Sequence, residues 1–264
     1  MQPDVVDLLE CPNCSTPLSR RYCPQCGQKI GDINPTIHDL LHDVAHEFLH
    51  VDSKIFRTVK LLLLKPGFLT REYVSGRRVR YVSPIRVYLV FSVIYFAAAA
   101  LIERPVFRSD ENVEVGALGT ALGLEHMSPE EANRLMADVQ AHWIPRVMFV
   151  LVPVSALLVQ LVTRHTGRNY PQHLSFALHI HAAFFALLTA TIVLELLSVE
   201  WLSAAVSLSR TALLAIYTVV AFRQAYGGAW GVAVGRTAFA LTCYILVVSA
   251  AAVLSVAVYA ARHA

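Results

Sequence analysis

At 264 residues, 56% of them hydrophobic and only 16% charged, with a mean hydropathy of +0.52, the chain lies outside the range of soluble globular domains. Its formal charge of +3 is small, so where the charges sit matters more than their sum. Residues 1–10 are acidic and lack a basic stretch leading into an apolar run, which argues against a secretory leader and for a cytoplasmic N-terminus.

Four cysteines come first, as Cys11-x2-Cys14, eight residues, then Cys23-x2-Cys26-Gly27. Each CxxC turn presents two thiolates to one metal, so the two pairs predict a tetrahedral zinc centre. Pro12 and Pro24 follow the first cysteine of each pair and Gly27 follows the last, residue types that suit tight knuckle turns. A reducing compartment favours zinc over two disulfides. With sulfur in all four positions the centre has no open place for catalysis. Its expected role is structural, ordering a ribbon over residues 1–34 that is too short to bury a core. Cys243 stands alone in an apolar run and reads as packing.

Residues 37–51 read as an amphipathic helix, with Ile37, Leu40, Leu41, Val44, Phe48 and Leu49 at helical spacing after Asn34-Pro35. Its polar side carries His38, His42, His46 and His50. Each step of four advances the face by about 40°, so the ladder fans out and at most two or three of its histidines, His42 and His46 among them, could converge on a metal. A solvated polar face is the simpler reading. A second helix at 54–64 mixes Lys54, Arg57 and Lys60 with Ile55, Phe56, Val59, Leu62 and Leu63, and Pro66-Gly67 stops it. It is expected to lie at a membrane interface. These pieces and the stretch Gly76-Arg77-Arg78-Val79-Arg80-Tyr81 form a cytoplasmic region at 35–86. Arg77, Arg78, Arg80 and Arg86 are its candidates for contact with anionic headgroups.

Long apolar segments follow at 87–102, 144–163, 174–199, 202–222 and 237–261, each near the roughly 20 residues a bilayer demands. Pro153 is expected to kink the second. Loop charges orient them. Residues 53–86 hold nine Lys/Arg against one acid, whereas 103–143 hold three against eight. Arg164 and Arg168 join the second and third segments, and Arg223 and Arg236 the fourth and fifth. Basic loops thus alternate with acidic or neutral ones, which places the N-terminus in the cytoplasm and the C-terminus on the periplasmic or extracellular side. The expected fold is an all-α integral membrane bundle of about five spans over 87–264, with an acidic outer loop at 103–143. In that loop Ser128-Pro129-Glu130-Glu131 predicts a short helix.

Polar residues inside the spans are few. His173, His179 and His181 gather near the cytoplasmic end of the third. His179 and His181, two residues apart, point about 200° from one another on a helix and cannot chelate together. They read as satisfied core histidines or as members of a polar pocket. Because a histidine within a span must offset its desolvation, His179 or His181 is a better candidate for an essential residue than the exposed ladder. Glu195, near the outer end of the third span, and Arg210, in the fourth, predict an intramembrane ion pair.

The run Cys23-Pro24-Gln25-Cys26-Gly27-Gln28, then Arg57-Thr58, Lys65-Pro66-Gly67, Glu72-Tyr73-Val74-Ser75-Gly76-Arg77-Arg78 and Tyr81-Val82-Ser83-Pro84, together with residues 173–185 and 223–226, resembles a bacterial family of uncharacterised membrane proteins with an N-terminal zinc ribbon. The resemblance implies a multi-spanning inner-membrane protein and transfers no catalytic residue. Two functions compete. One is a non-enzymatic scaffold or sensor whose ribbon docks a cytosolic partner. The other is a metal-dependent enzyme or a small-solute or proton transporter using His42, His46, His173, His179 or His181. Nucleic-acid binding is disfavoured, because the basic cluster is pinned to the bilayer.

Overall fold

The computed structural model describes residues 10–18, 22–29, 54–101, 144–196 and 200–263. The histidine ladder with its helix at 37–51 and the acidic loop at 103–143 with its capping box lie outside the described residues.

Two knuckles open the structure, one a near copy of the other. In the first, the Cys11 N–H donates to the Thr16 carbonyl and the Ser15 N–H to the Cys11 carbonyl. In the second, the Cys23 N–H donates to Gln28 and the Gly27 N–H to Cys23. The residue after each second cysteine must turn left-handed. Gly27 does so at φ 70° without strain, and Ser15 takes the same place at φ 59°. An isolated antiparallel bridge closes each turn, Glu10 with Pro17 and Tyr22 with Lys29.

The remaining described elements are helices: α1 Lys54–Leu64, α2 Phe68–Val74, α3 Pro84–Leu101, α4 Ile144–Val162, a 3-10 turn Arg164–Thr166, α5 Tyr170–Leu196, α6 Glu200–Tyr226 and α7 Trp230–His263. Lys65-Pro66-Gly67 breaks α1 from α2 where expected. Gly67 has φ 77°, and a Cβ there would run into the backbone carbonyl of Ala221 on α6, so both the turn and the close approach require glycine. The end of α2 is a Schellman motif. The Arg77 N–H reaches back to the Glu72 carbonyl and the Gly76 N–H to the Tyr73 carbonyl, with Gly76 at φ 81°. Pro84 then opens α3, where its missing N–H costs nothing.

The central helix is α5, which touches α1, α2, α3, α4 and α6. Fifty-six per cent of its apolar stretch is buried, against 28% for α4 and 17% for α7. Small residues let its neighbours close in: Ala182 and Ala183 on α5 and Ala221 on α6 are all 0% exposed. Against α3 the contact is aromatic, with Phe185 stacked on Tyr95 at 5.2 Å and edge-on to Phe96 at 5.5 Å. Such pairs contribute about 0.5–1.5 kcal/mol each beyond their burial.

Among the described residues three helices are long and apolar enough to cross a membrane, over Pro145–Val162, Tyr170–Leu194 and Trp230–Ala251. The apolar helix Pro84–Ala100 is shorter. Large apolar side chains such as Phe149, Val150, Phe239, Ile245 and Leu246 face outward from α4 and α7, a surface suited to lipid rather than water. The expected segments at 87–102 and 202–222 fall on α3 and α6. Helix α1, expected to lie in the interface, buries Thr58 and Leu62 against the bundle and leaves Phe56 and Leu64 exposed.

Candidate metal centre and the histidines of the bundle

The two knuckles face each other, and their sulfurs converge. All four lie within 4.8 Å of one another, with Cys14 Sγ 3.4 Å from Cys23 Sγ and Cys11 Sγ 3.7 Å from Cys26 Sγ. Metal–sulfur bonds of about 2.3 Å in a tetrahedron put sulfurs about 3.8 Å apart, so Cys11, Cys14, Cys23 and Cys26 could hold a metal ion. Cys11 and Cys23 are buried, Cys14 and Cys26 half-buried, and none is in a disulfide. Thr16 holds the Cys14 thiol down at about 6, through its hydroxyl 3.2 Å from Sγ and through its backbone, whereas burial pushes the Cys11 thiol up to about 11. Metal binding requires all four as thiolates. Four sulfur ligands leave no position for a reacting water, so what such a centre supplies is structural order.

The centre is joined to the bundle through the corner between α2 and α3. Gln28, buried beside the second knuckle, donates from Nε2 to the Gly76 carbonyl at 2.6 Å. Its Oε1 accepts from the Arg78 N–H at 3.4 Å. One side-chain amide thus satisfies two backbone groups of the corner, as a neighbouring strand would. From the first knuckle, the Asn13 carbonyl accepts from Arg80 Nη2 at 2.6 Å. Pro12 packs on Gly76 so closely that a Cβ there would lie 3.2 Å from its ring.

The arginines expected to meet headgroups sit in this corner. Arg77 forms a two-point ion pair with Glu72, Nε to Oε2 at 2.8 Å and Nη2 to Oε1 at 2.6 Å. Those bonds hold the Glu72 carboxyl below its ordinary range, against the opposing effect of burial. The Arg78 guanidinium lies 4.7 Å over the Tyr73 ring, Arg80 is engaged by Asn13, and Arg86 is buried.

The α5 histidines are buried and each has its own neighbour. His179 Nδ1 is 2.9 Å from the Thr70 hydroxyl, which ties α5 to α2. His181 Nδ1 is 2.8 Å from the Ala177 carbonyl and must donate to it, so Nε2 accepts from the Tyr244 hydroxyl at 3.0 Å and ties α5 to α7. His173 is fully buried, stacked on Tyr226, with Nδ1 2.9 Å from that residue's hydroxyl and 3.4 Å from Thr163 Oγ1. Among the described residues these three do not gather into a metal-sized cluster. His42 and His46 lie outside the described residues. A cavity of about 50 Å³ opens beside His181 among Val159, Phe176, Phe184 and Phe222. The Ser155 and Thr218 hydroxyls on its wall bond to carbonyls of their own helices, so they bring no chemistry to it.

The side chain of Glu195 lies outside the described residues, and Arg210 is half-buried on α6. Sequence reasoning gave no role to Asn13, Thr70, Tyr217 or Tyr244, and it met Gln28 and Tyr226 only as parts of longer motifs. Of these, Tyr217 donates to the Leu62 carbonyl at 2.5 Å and fastens α1 to α6. Gln28 carried a faint signal, a polar residue following the left-handed glycine of the second knuckle.

A family model described as a protein of unknown function, DUF3667, matches residues 52–96. That stretch runs through α1, α2 and the Gly76 corner into α3, the part of the bundle that receives the knuckles. No curated protein and no solved structure matches the chain.

Proposed function

We propose that this chain is a multi-spanning protein of a bacterial inner membrane that performs no reaction of its own. It acts as a scaffold or sensor whose zinc-ordered cytoplasmic ribbon docks a protein partner. Helices α3 to α7 are its five spans, with the N-terminus in the cytoplasm and the C-terminus outside, and anionic headgroups are its second class of partner. The observation that carries the reading is the join between the closed four-sulfur centre and the corner leading into α3, made by Gln28 and Asn13. A metal orders the ribbon, and the join fixes the ribbon on the bundle. Tyr22, 56% exposed beside the second knuckle, offers an aromatic anchor on the outward side. A histidine-based metal enzyme or transporter is the competing reading, and the separate neighbours of His173, His179 and His181 weigh against it.

Complementation of a deletion strain tests this at matched membrane expression. Cys11→Ser/Cys26→Ser should fail to rescue although it remains in the membrane, while His181→Ala, where stably folded, should rescue. Rescue by the cysteine variant overturns the reading. Failure confined to a stably folded histidine variant turns it toward the competitor.

A further inference from the structure

We propose that the joined loops between α4 and α5 and between α6 and α7 bind the phosphate of an anionic phospholipid. This site is separate from the ribbon and its arginine corner. It rests on the reading of the helices as membrane spans and adds to that reading a located ligand.

The first argument is charge without compensation. Arg164 and Arg168 lie on one loop, and Arg223 and Arg236 flank the other. The chain has no Asp or Glu from 139 to 194 and none after Glu200. The corner after α2 is different, since Arg77 there is matched by Glu72 five residues away. Among the described residues Arg164, Arg168, Arg223 and Arg236 make no ion pair.

The second argument is geometry. Arg168 Nη2 donates to the Ala225 carbonyl at 2.6 Å, crossing from one loop to the end of α6. Arg236 Nη2 donates to His165 Nε2 at 2.7 Å, and its Nη1 to the Gly227 carbonyl at 3.4 Å. The two loops are therefore held together by carbonyls and one imidazole, neutral acceptors that leave the cations un-neutralised. Aromatic rings fix two guanidinium groups, Arg168 4.4 Å over Tyr226 and Arg223 4.0 Å over Trp230. Hydrogen-bonding capacity remains. Arg168 Nη1 and Nε2 of the fully buried His173 find no partner among the described residues.

The chemistry these groups share is recognition of a phosphate, which accepts several N–H bonds and carries the missing charge. Guanidinium forks match phosphate oxygens in geometry as well as sign. The place decides the source. The apolar stretches of α4, α5 and α7 end or begin at Val162, Tyr170 and Trp230. The cluster therefore lies at headgroup depth, where tryptophan and tyrosine rings favour the boundary between lipid and water.

The test is lipid binding by the detergent-purified full-length protein, read by native mass spectrometry and by thermal shift. Phosphatidylglycerol, phosphatidylcholine and inorganic phosphate are added separately. Phosphatidylglycerol should be retained and should raise the melting temperature; phosphatidylcholine should do neither. Each charge near an anionic surface contributes roughly fivefold, so Arg168→Gln/Arg236→Gln should weaken retention on the order of 25-fold. If that variant does not fold, Arg223→Gln/Arg236→Gln, whose side chains are less enclosed, should show the same loss. Undiminished retention in a folded variant overturns the proposal. Equal stabilisation by inorganic phosphate makes this a free-anion site and overturns the lipid assignment. Loss only in Arg77→Gln/Arg80→Gln moves the contact to the α2–α3 corner and overturns it too. Carbonate extraction separates the two levels of failure. Protein that leaves the membrane refutes the spanning reading, whereas protein that stays but shows no lipid preference refutes this inference alone.

Discussion

The cysteines of the ribbon and the histidines of α5 were both candidates for metal chemistry, and the fold treats them oppositely. Cys11 and Cys14 repeat as Cys23 and Cys26 after 12 residues, and the two turns close on each other until all four sulfurs lie within 4.8 Å. The three histidines occupy one rigid helix that turns about 100° per residue, so His179 looks toward α2 and His181 toward α7. Paired turns gather side chains; a helix distributes them. The difference also separates their roles, since converging sulfurs can hold an ion while diverging imidazoles pin neighbouring helices.

The largest effect that would break this contrast lies at the cysteines. Purified protein should contain one zinc per chain, and Cys11→Ser/Cys26→Ser should contain almost none, because two of four ligands are gone. The variant should also become sensitive to protease between the knuckles while α3 to α7 stay protected, since a metal on the four sulfurs would supply most of the order that a few hydrogen bonds cannot. Zinc content by plasma emission spectrometry checks the first part. Zinc that persists in the variant would mean another set of residues holds it, and the distinction between gathered and distributed side chains would fail.

A smaller effect sharpens the histidine side. His179→Ala removes a buried ring and leaves the Thr70 hydroxyl without its partner, a change expected to cost about 2–3 kcal/mol. Thr70→Val alone should cost less, about 1–2 kcal/mol. If the 2.9 Å contact is what His179 contributes, the double variant should fall short of additivity by about 1 kcal/mol in thermal or denaturant unfolding. Strict additivity would show that the histidine serves something other than the α2–α5 joint.

These contrasts mark how far the sequence could be read. The cysteine spacing contained the whole centre because every ligand is local to a turn. The helix at 54–64 and its Pro66-Gly67 stop were legible for the same reason, and Gly67 lies where only glycine can pass Ala221. The partners of buried polar groups were not legible, because they are set by packing between helices distant in the chain. Thr70 and His179 are 109 residues apart, and Leu62 and Tyr217 are 155 apart. Charge counting was silent on partners at the α2–α3 corner for a related reason. Nine basic residues against one acid orient the chain, but the count does not say that Arg77 takes that one acid and Arg80 a carbonyl of the first knuckle. A count records charge, whereas the fold distributes partners.

The smallest effect tests that corner, the surface the ribbon stands on. Glu72 has its pKa lowered chiefly by the hydrogen bonds from Arg77. A depressed carboxylate stabilises the fold above its unfolded value, near 4.3, and that contribution disappears as pH falls through the folded value. Wild type should therefore lose stability more steeply than Glu72→Gln below about pH 4 and exceed it by a constant amount near neutrality. Arg77 is one-third exposed, so screening trims the difference to about 1–2 kcal/mol. Metal-stripped protein should be used for both, since acid also protonates the cysteines and would release zinc from either. Parallel curves from pH 3 to 7 would mean the pair is an exposed contact of little consequence.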